Sequence, residues 1–139
     1  MGKREKHARS LARKLGVRLT LFRRKGRRWG IDGSANRREG VYVIAERWNQ
    51  LTYFAALHEL GHIALHHVEE TPTWRYRCDT VECEAEAWLW ALNQSKERPS
   101  AHTVDFILSQ ESFGGYARHY PNWIGEHTLS LYARLGEVA

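Results

Sequence analysis

The sequence contains little cysteine and no long apolar run, and each absence excludes a class of protein. Two cysteines, Cys78 and Cys83, are too few in 139 residues for the disulfide framework of a small secreted domain. No stretch of about 18 apolar residues occurs, so no segment is expected to span a membrane. The basic N-terminal segment also lacks the apolar core of a signal peptide. We therefore expect a cytoplasmic protein with two reduced thiols, whose use as soft metal ligands is the less favoured alternative.

No internal repeat or low-complexity linker divides the chain. Its 139 residues, 42% hydrophobic and 27% charged, suffice for one domain with a hydrophobic core. We predict a single domain over residues 1–139. Within it, we expect residues 1–7 to form a disordered charged tail and residues 100–139 to form a C-terminal helical extension.

Acidic residues are scarce in the first third of the chain. Residues 1–40 hold 14 of the 21 Lys and Arg but only three acids, a net charge of +11, whereas the remainder holds 7 bases and 13 acids, a net charge of −6. A basic segment of this kind can attract nucleic acid or an acidic partner, or can be only a solvated surface. The basic region 3–38 is therefore a candidate for weak DNA contact.

The strongest chemical signal is the sequence His58-Glu59-Leu60-Gly61-His62, which has the pattern His-Glu-x-x-His. Residues four apart lie on one face of a helix, so the two imidazoles can bind a single metal ion. Glu59 lies about 100° further round the helix, beside that ion, where it can take a proton from an activated water. The pattern is typical of zinc hydrolases, most often peptidases, and predicts one Zn²⁺ ion.

Apolar periodicity predicts one helix, three strands and then further helices, an α+β fold. A small, roughly three-stranded sheet is expected to pack on a helical layer that carries the motif helix and a glutamate-bearing helix, with extra C-terminal helices. The first predicted helix is 8–15, ended by Gly16, and the motif helix is capped by Asn49. A third helix begins at Val81 and is stopped by Pro99, and two more are predicted at 100–110 and 123–135. The predicted strands are 17–21, 29–31 and 41–45, with 32–36 as a loop.

A hydrolytic zinc site needs a third protein ligand, and helix geometry disfavours the two nearest histidines. His66 lies eight residues after His58, about 12 Å along a straight helix, which is too far to share one ion. His67 points elsewhere if the helix continues past Ile63, and no residue there is a helix breaker. His66 is instead expected at the edge of the core or beside the ligands.

A glutamate from the next helix is the favoured third ligand, and spacing leaves Glu82 and Glu84 open. Glu82 shares a face with Ala85 and Glu86, and the small side chain of Ala85 would let this helix approach the first one. Glu86 could then accept the outer N–H of a ligating histidine. Glu82 is preferred on this spacing, with Glu84 as the alternative.

Four stretches also resemble the ImmA/IrrE family of zinc metallopeptidases: LARKLGV at 11–17, GVYVI at 40–44, FAALHELGHIALH at 54–66 and ECEAEAW at 82–88. The resemblance covers roughly residues 8–95, and Glu86 departs from the Asn or Asp usual in the family, as Trp88-Leu89 departs from Phe-Ala. It implies a small sheet packed on helices, with His58, His62 and Glu82 as zinc ligands and Glu59 as catalytic base. It also implies cleavage of helix-turn-helix repressors in bacteria or their mobile elements.

The favoured function is therefore zinc-dependent peptide hydrolysis of a repressor or similar regulatory protein, with Glu59 as general base. Developing negative charge on the substrate oxygen would need a further donor. The candidates for that donor are Tyr53, His102, Tyr116, His119, Tyr120 and His127.

The alternative function is a nucleic-acid-binding regulatory module in which zinc is structural. It depends on the stretch RRKGRRW at 23–29, a basic turn with an aromatic residue that could stack on a base. Under this hypothesis Glu59 has no catalytic role. Salt-dependent DNA affinity without peptidase activity would distinguish it from the hydrolase.

Overall fold

The computed structural model describes residues 1–24, 32–36, 40–67, 81–109 and 125–138. The chain is α+β, as predicted, and no helix in these parts is long and apolar enough to cross a membrane. The elements in chain order are α1 (Lys3–Leu15), β1 (Leu19–Arg23), β2 (Asp32–Asn36), β3 (Gly40–Ala45), α2 (Gln50–Ala64), α3 (Val81–Gln94), α4 (Ala101–Leu108) and α5 (Glu126–Val138).

β3 is the central strand of the sheet, parallel to β1 and antiparallel to β2. Its alternate residues Val41, Val43 and Ala45 are buried, as the period of two in the sequence predicts. β2 and β3 both contact α2, so the sheet supports that helix from one side.

The expectation of a loop at 32–36 is wrong, because these residues form β2. Pairing with β3 satisfies the backbone groups on one edge of this segment, and Ala35 is buried. This gain outweighs the local preference of aspartate, glycine and asparagine for turns. The strand predicted at 29–31 lies outside the described residues.

The N-terminal helix begins earlier than predicted, and the expected tail at 1–7 is wrong from Lys3 onward. Two side chains of its first turns are held by distant residues. Arg4 donates two hydrogen bonds to the carboxylate of Glu97, at 2.7 and 2.9 Å, and His7 Nδ1 lies 2.6 Å from the hydroxyl of Tyr53. The predicted stop at Gly16 is confirmed, since this residue takes the left-handed conformation with φ of 72°.

α2 is the central helix, and its predicted N-cap is confirmed because the side chain of Asn49 accepts the N–H of Thr52 at 2.9 Å. Every residue from Leu51 to Ile63 is buried. α1, α3 and the sheet all contact this helix and cover it on several sides.

Gly61 lies at a close contact between α2 and α3. A Cβ atom at this position would lie 3.0 Å from the carbonyl oxygen of Ala87. Glycine at this position leaves room for the backbone of α3. The motif helix is therefore held directly against the glutamate-bearing helix.

The C-terminal extension contains α4 and α5, and the segment between them, 110–124, lies outside the described residues. Ser100 caps α4 by accepting the N–H of Thr103 at 3.2 Å. α5 begins at Glu126 and packs against α3. The last helix thus supports α3.

Candidate metal centre

Three side chains from α2 and α3 converge at the C-terminal half of α2. His58 Nε2 lies 3.2 Å from His62 Nε2 and 2.8 Å from a carboxylate oxygen of Glu84, and His62 Nε2 lies 3.3 Å from the other oxygen of Glu84. One ligand atom from each residue lies within 4.8 Å of the others, so the group could hold a metal ion. Both imidazoles are buried, at 6% and 1% exposure, whereas the Glu84 side chain keeps 25%. The two histidines are therefore held inside the protein, and solvent reaches the cluster from the side of Glu84.

His58 and His62 occupy the places that the sequence predicts, because a helix brings residues four apart together. Their rings meet edge to face, with centroids 4.6 Å apart and an interplanar angle of 80°. Trp88 of α3 stacks on the His58 ring at 4.0 Å and 25°. The sequence pattern did not indicate this contact, which orients one of the two imidazoles.

The preference for Glu82 as third ligand is corrected by the structure, which places Glu84 beside the two histidines. Residues two apart on a helix point about 200° apart, so only one of the two glutamates can face α2. Trp88 stacks on His58, and Glu84 lies one turn before it on the same face. The sequence spacing contained no signal that would have selected Glu84, because the packing of α3 on α2 decides which glutamate faces the histidines.

Glu82 instead caps the N-terminus of α5. Its carboxylate accepts the backbone N–H groups of Gly125, His127 and Thr128, at 2.7, 2.8 and 3.1 Å, and also the Thr128 hydroxyl. Burial by itself would raise the pKa of Glu82, but these hydrogen bonds outweigh it and lower the pKa. Gly125 allows the close approach, since a Cβ there would lie 2.8 Å from the Glu82 carboxyl carbon. Glu82 therefore joins α3 to α5.

His67 lies beside the cluster, contrary to the expectation that it points elsewhere. α2 ends at Ala64, and His66 takes a left-handed conformation with φ of 58°. The chain then turns back, and the N–H of His67 donates to the carbonyl of His62 at 2.9 Å. The His67 ring is buried, with Nδ1 3.0 Å from Nδ1 of His62. Sequence reasoning missed it because neither glycine nor proline marks this helix end.

Glu86 was expected to accept the outer N–H of a ligating histidine. Its carboxylate instead contacts His67, which in turn contacts His62. Its carboxylate lies 2.6 Å from Nε2 of His67 and 3.0 Å from Nε2 of His127. Burial lowers the pKa of His67, although the hydrogen bond to Glu86 opposes this effect. Glu86 therefore connects the surroundings of His62 to α5.

Glu59 lies beside the ligands and is itself buried, at 9% exposure. Its Oε2 atom has no hydrogen-bond partner in the described parts of the chain. Burial raises the pKa of Glu59 to about 7, an effect that His62 opposes and Glu84 reinforces. A buried carboxyl with this pKa can both accept and release a proton near neutral pH.

Glu84 has the opposite electrostatic character. Burial by itself would raise the pKa of Glu84, but the charges and hydrogen bonds of His58 and His62 outweigh burial and lower the pKa. Glu84 is therefore ionised at neutral pH and can act as an anionic ligand.

Among the described residues, the metal cluster consists of His58, His62 and Glu84 and does not include Cys83. Cys83 is disulfide-bonded, so the expectation of a reduced thiol at this position is wrong. The number of cysteines does not tell whether their sulfur atoms approach one another, because only the fold decides that. Cys78 lies outside the described residues.

The candidate donors for a substrate oxygen fall into three groups. The Tyr53 hydroxyl is engaged with His7 and with the backbone N–H of Lys96, and His127 is engaged with Glu86. His102 is exposed on α4. Tyr116, His119 and Tyr120 lie outside the described residues, as does most of the basic stretch 23–29.

Comparisons with protein-family models, with curated proteins and with solved structures find no match for this chain.

Proposed function

We propose that the protein is a zinc-dependent peptidase. The observation that carries this proposal is the approach of His58, His62 and Glu84, whose ligand atoms lie 2.8 to 3.3 Å apart. Ligands on a tetrahedral zinc with bonds of about 2.0–2.1 Å lie roughly 3.3 Å from one another. Two imidazoles and one carboxylate are also a donor set of catalytic zinc sites, which leave the fourth position to water or substrate.

Zinc bound by these three residues would supply Lewis-acid chemistry, which makes a water molecule more acidic and a carbonyl carbon more electrophilic. Glu59 lies beside the cluster and supplies the proton transfer. It takes a proton from water as the oxygen bonds to the carbonyl carbon, and gives it to the amine nitrogen as the carbon–nitrogen bond breaks. Its burial excludes competing hydrogen bonds from bulk water, which favours this transfer.

We propose a helix-turn-helix repressor, or a similar regulatory protein, as the substrate. This part of the proposal depends on the resemblance of residues 8–95 to the ImmA/IrrE family, with Glu84 now replacing Glu82 among the ligands. The partly exposed carboxylate of Glu84 supports access of a protein segment to the cluster.

The direct test is proteolysis of a helix-turn-helix repressor, chosen from the genes that neighbour the gene for this chain. Purified wild-type protein with one equivalent of zinc should cleave it, and Glu59→Gln should bind zinc equally well but cleave at least about 100-fold more slowly. Glu46→Gln is a matched control, because it makes the same change on an exposed side chain. Metal content is measured by mass spectrometry of the intact protein.

Cleavage by Glu59→Gln at the wild-type rate would refute the assignment of the base. Zinc binding without cleavage, together with DNA affinity that weakens as salt rises, would favour the nucleic-acid-binding module instead.

A further inference from the structure

A chain of hydrogen bonds leads outward from the inner face of His62. His62 Nδ1 lies 3.0 Å from His67 Nδ1, His67 Nε2 lies 2.6 Å from Glu86, and the second oxygen of Glu86 lies 3.0 Å from His127 Nε2. His62 and His67 are buried at 1% and 5% exposure, whereas the His127 side chain keeps 42%. The chain therefore runs from the metal cluster to the surface of α5.

The helix end maintains this arrangement. His66 has φ of 58° and follows the C-cap Leu65, so it takes the left-handed conformation common after a helix, which histidine adopts more readily than most side chains. This turn brings the N–H of His67 to the carbonyl of His62 at 2.9 Å and places one ring against the other.

The chemistry of the groups allows only one arrangement of hydrogens when His62 binds a cation through Nε2. An ionised Glu86 can only accept, so His67 carries its hydrogen on Nε2 and has a lone pair on Nδ1. That lone pair accepts the Nδ1 hydrogen of His62. The lone pair of His62 Nε2 is then directed to the point shared with His58 and Glu84.

The other ligand histidine is held in a different way. His58 Nδ1 is buried and has no hydrogen-bond partner in the described parts of the chain. Its ring is oriented by stacking on Trp88. Hydrogen bonding thus selects the tautomer of His62, whereas ring packing orients His58.

We propose that His67 and Glu86 are positioning residues, which hold His62 in the Nε2-binding tautomer and orientation and thereby set the affinity for the metal. This inference rests on the metal-dependent function proposed above. Partners of this kind typically change metal affinity by about 10- to 100-fold when they are removed.

The test compares the affinity of variants at position 67 for zinc alone, measured by competition with a chromophoric chelator. His67→Phe fills similar space but accepts no hydrogen bond, and should bind zinc about 10- to 100-fold more weakly. His67→Asn retains an oxygen near the place of Nδ1 and should recover most of the loss. His66→Asn is the matched control, because asparagine tolerates the left-handed conformation, and should bind zinc as the wild type does.

The visible spectrum of the cobalt-substituted protein gives a second readout, which should change in His67→Phe and not in His66→Asn. Glu86→Leu provides an independent variant if His67→Phe does not fold, and should also weaken zinc binding by about 10-fold. Unchanged affinity and an unchanged cobalt spectrum in either folded variant would overturn the inference, while leaving the proposed peptidase intact if the wild type cleaves. A wild type that binds neither zinc nor cobalt would overturn both.

Discussion

Glu82 and Glu84 are two residues apart, yet the structure gives them separable roles. Glu84→Gln replaces a carboxylate that contacts His58 and His62, and should remove metal binding. Glu82→Gln replaces a carboxylate that accepts three backbone N–H groups and one hydroxyl at α5. It should lower the stability of the fold and leave metal binding unchanged.

The size of both effects can be estimated. A ligand at 100 times its Kd stabilises the native state by about 2.7 kcal/mol. For a domain of this length, about 1 kcal/mol corresponds to roughly 4 °C in Tm, so zinc at that concentration should raise Tm by about 10 °C. Loss of a helix cap costs about 1–2 kcal/mol, so Glu82→Gln should lower Tm by roughly 4–8 °C.

The assay is thermal unfolding followed by circular dichroism, with and without zinc at 100 times the wild-type Kd. The wild type and Glu82→Gln should show the same increase of about 10 °C with zinc, from different starting temperatures. Glu84→Gln should show almost none, because its third ligand is lost. An equal zinc shift in Glu84→Gln, or loss of the shift in Glu82→Gln, would refute the assignment of the ligand.

Two further predictions concern the support of the site. Gly61→Val should lower the free energy of unfolding in urea by about 2 kcal/mol, because even a Cβ would lie 3.0 Å from the Ala87 carbonyl oxygen. A variant as stable as the wild type would contradict the close contact of α2 and α3. The pKa of Glu97 is lowered from 4.5, mainly by hydrogen bonds from Arg4, so this pair contributes its stability above that value and loses it as the pH falls further. Because both side chains are partly exposed, Glu97→Gln should cost only about 0.5–1 kcal/mol at pH 7 and less at pH 3. A larger cost at pH 3 than at pH 7 would contradict the expected sign.

Features that depend on a few neighbouring residues could be predicted from the sequence. The pairing of His58 with His62 follows from the helical repeat, and the strand at 41–45 follows from its alternation. Asn49 and Gly16 act as helix caps because their side chain and backbone preferences suit those positions. Each of these predictions needed only local chemistry.

Features that depend on distant contacts could not be predicted. Residues 32–36 form a strand only because β3 lies beside them, and the segment from Lys3 to His7 is helical with its side chains held by Glu97 and Tyr53. The helix end at His66 carries no sequence signal, so the position of His67 became visible only in the folded chain.

By itself, the sequence determined that two imidazoles and a carboxylate lie on one helix, since the helical repeat places them there. The tertiary structure alone decided that Glu84 completes the cluster while Glu82 caps α5. The rotation of α3 about its own axis selects between two glutamates 200° apart, and that rotation is set by the packing of Ala87 and Trp88 on α2. Packing between helices involves residues far apart in the chain, which no local pattern records.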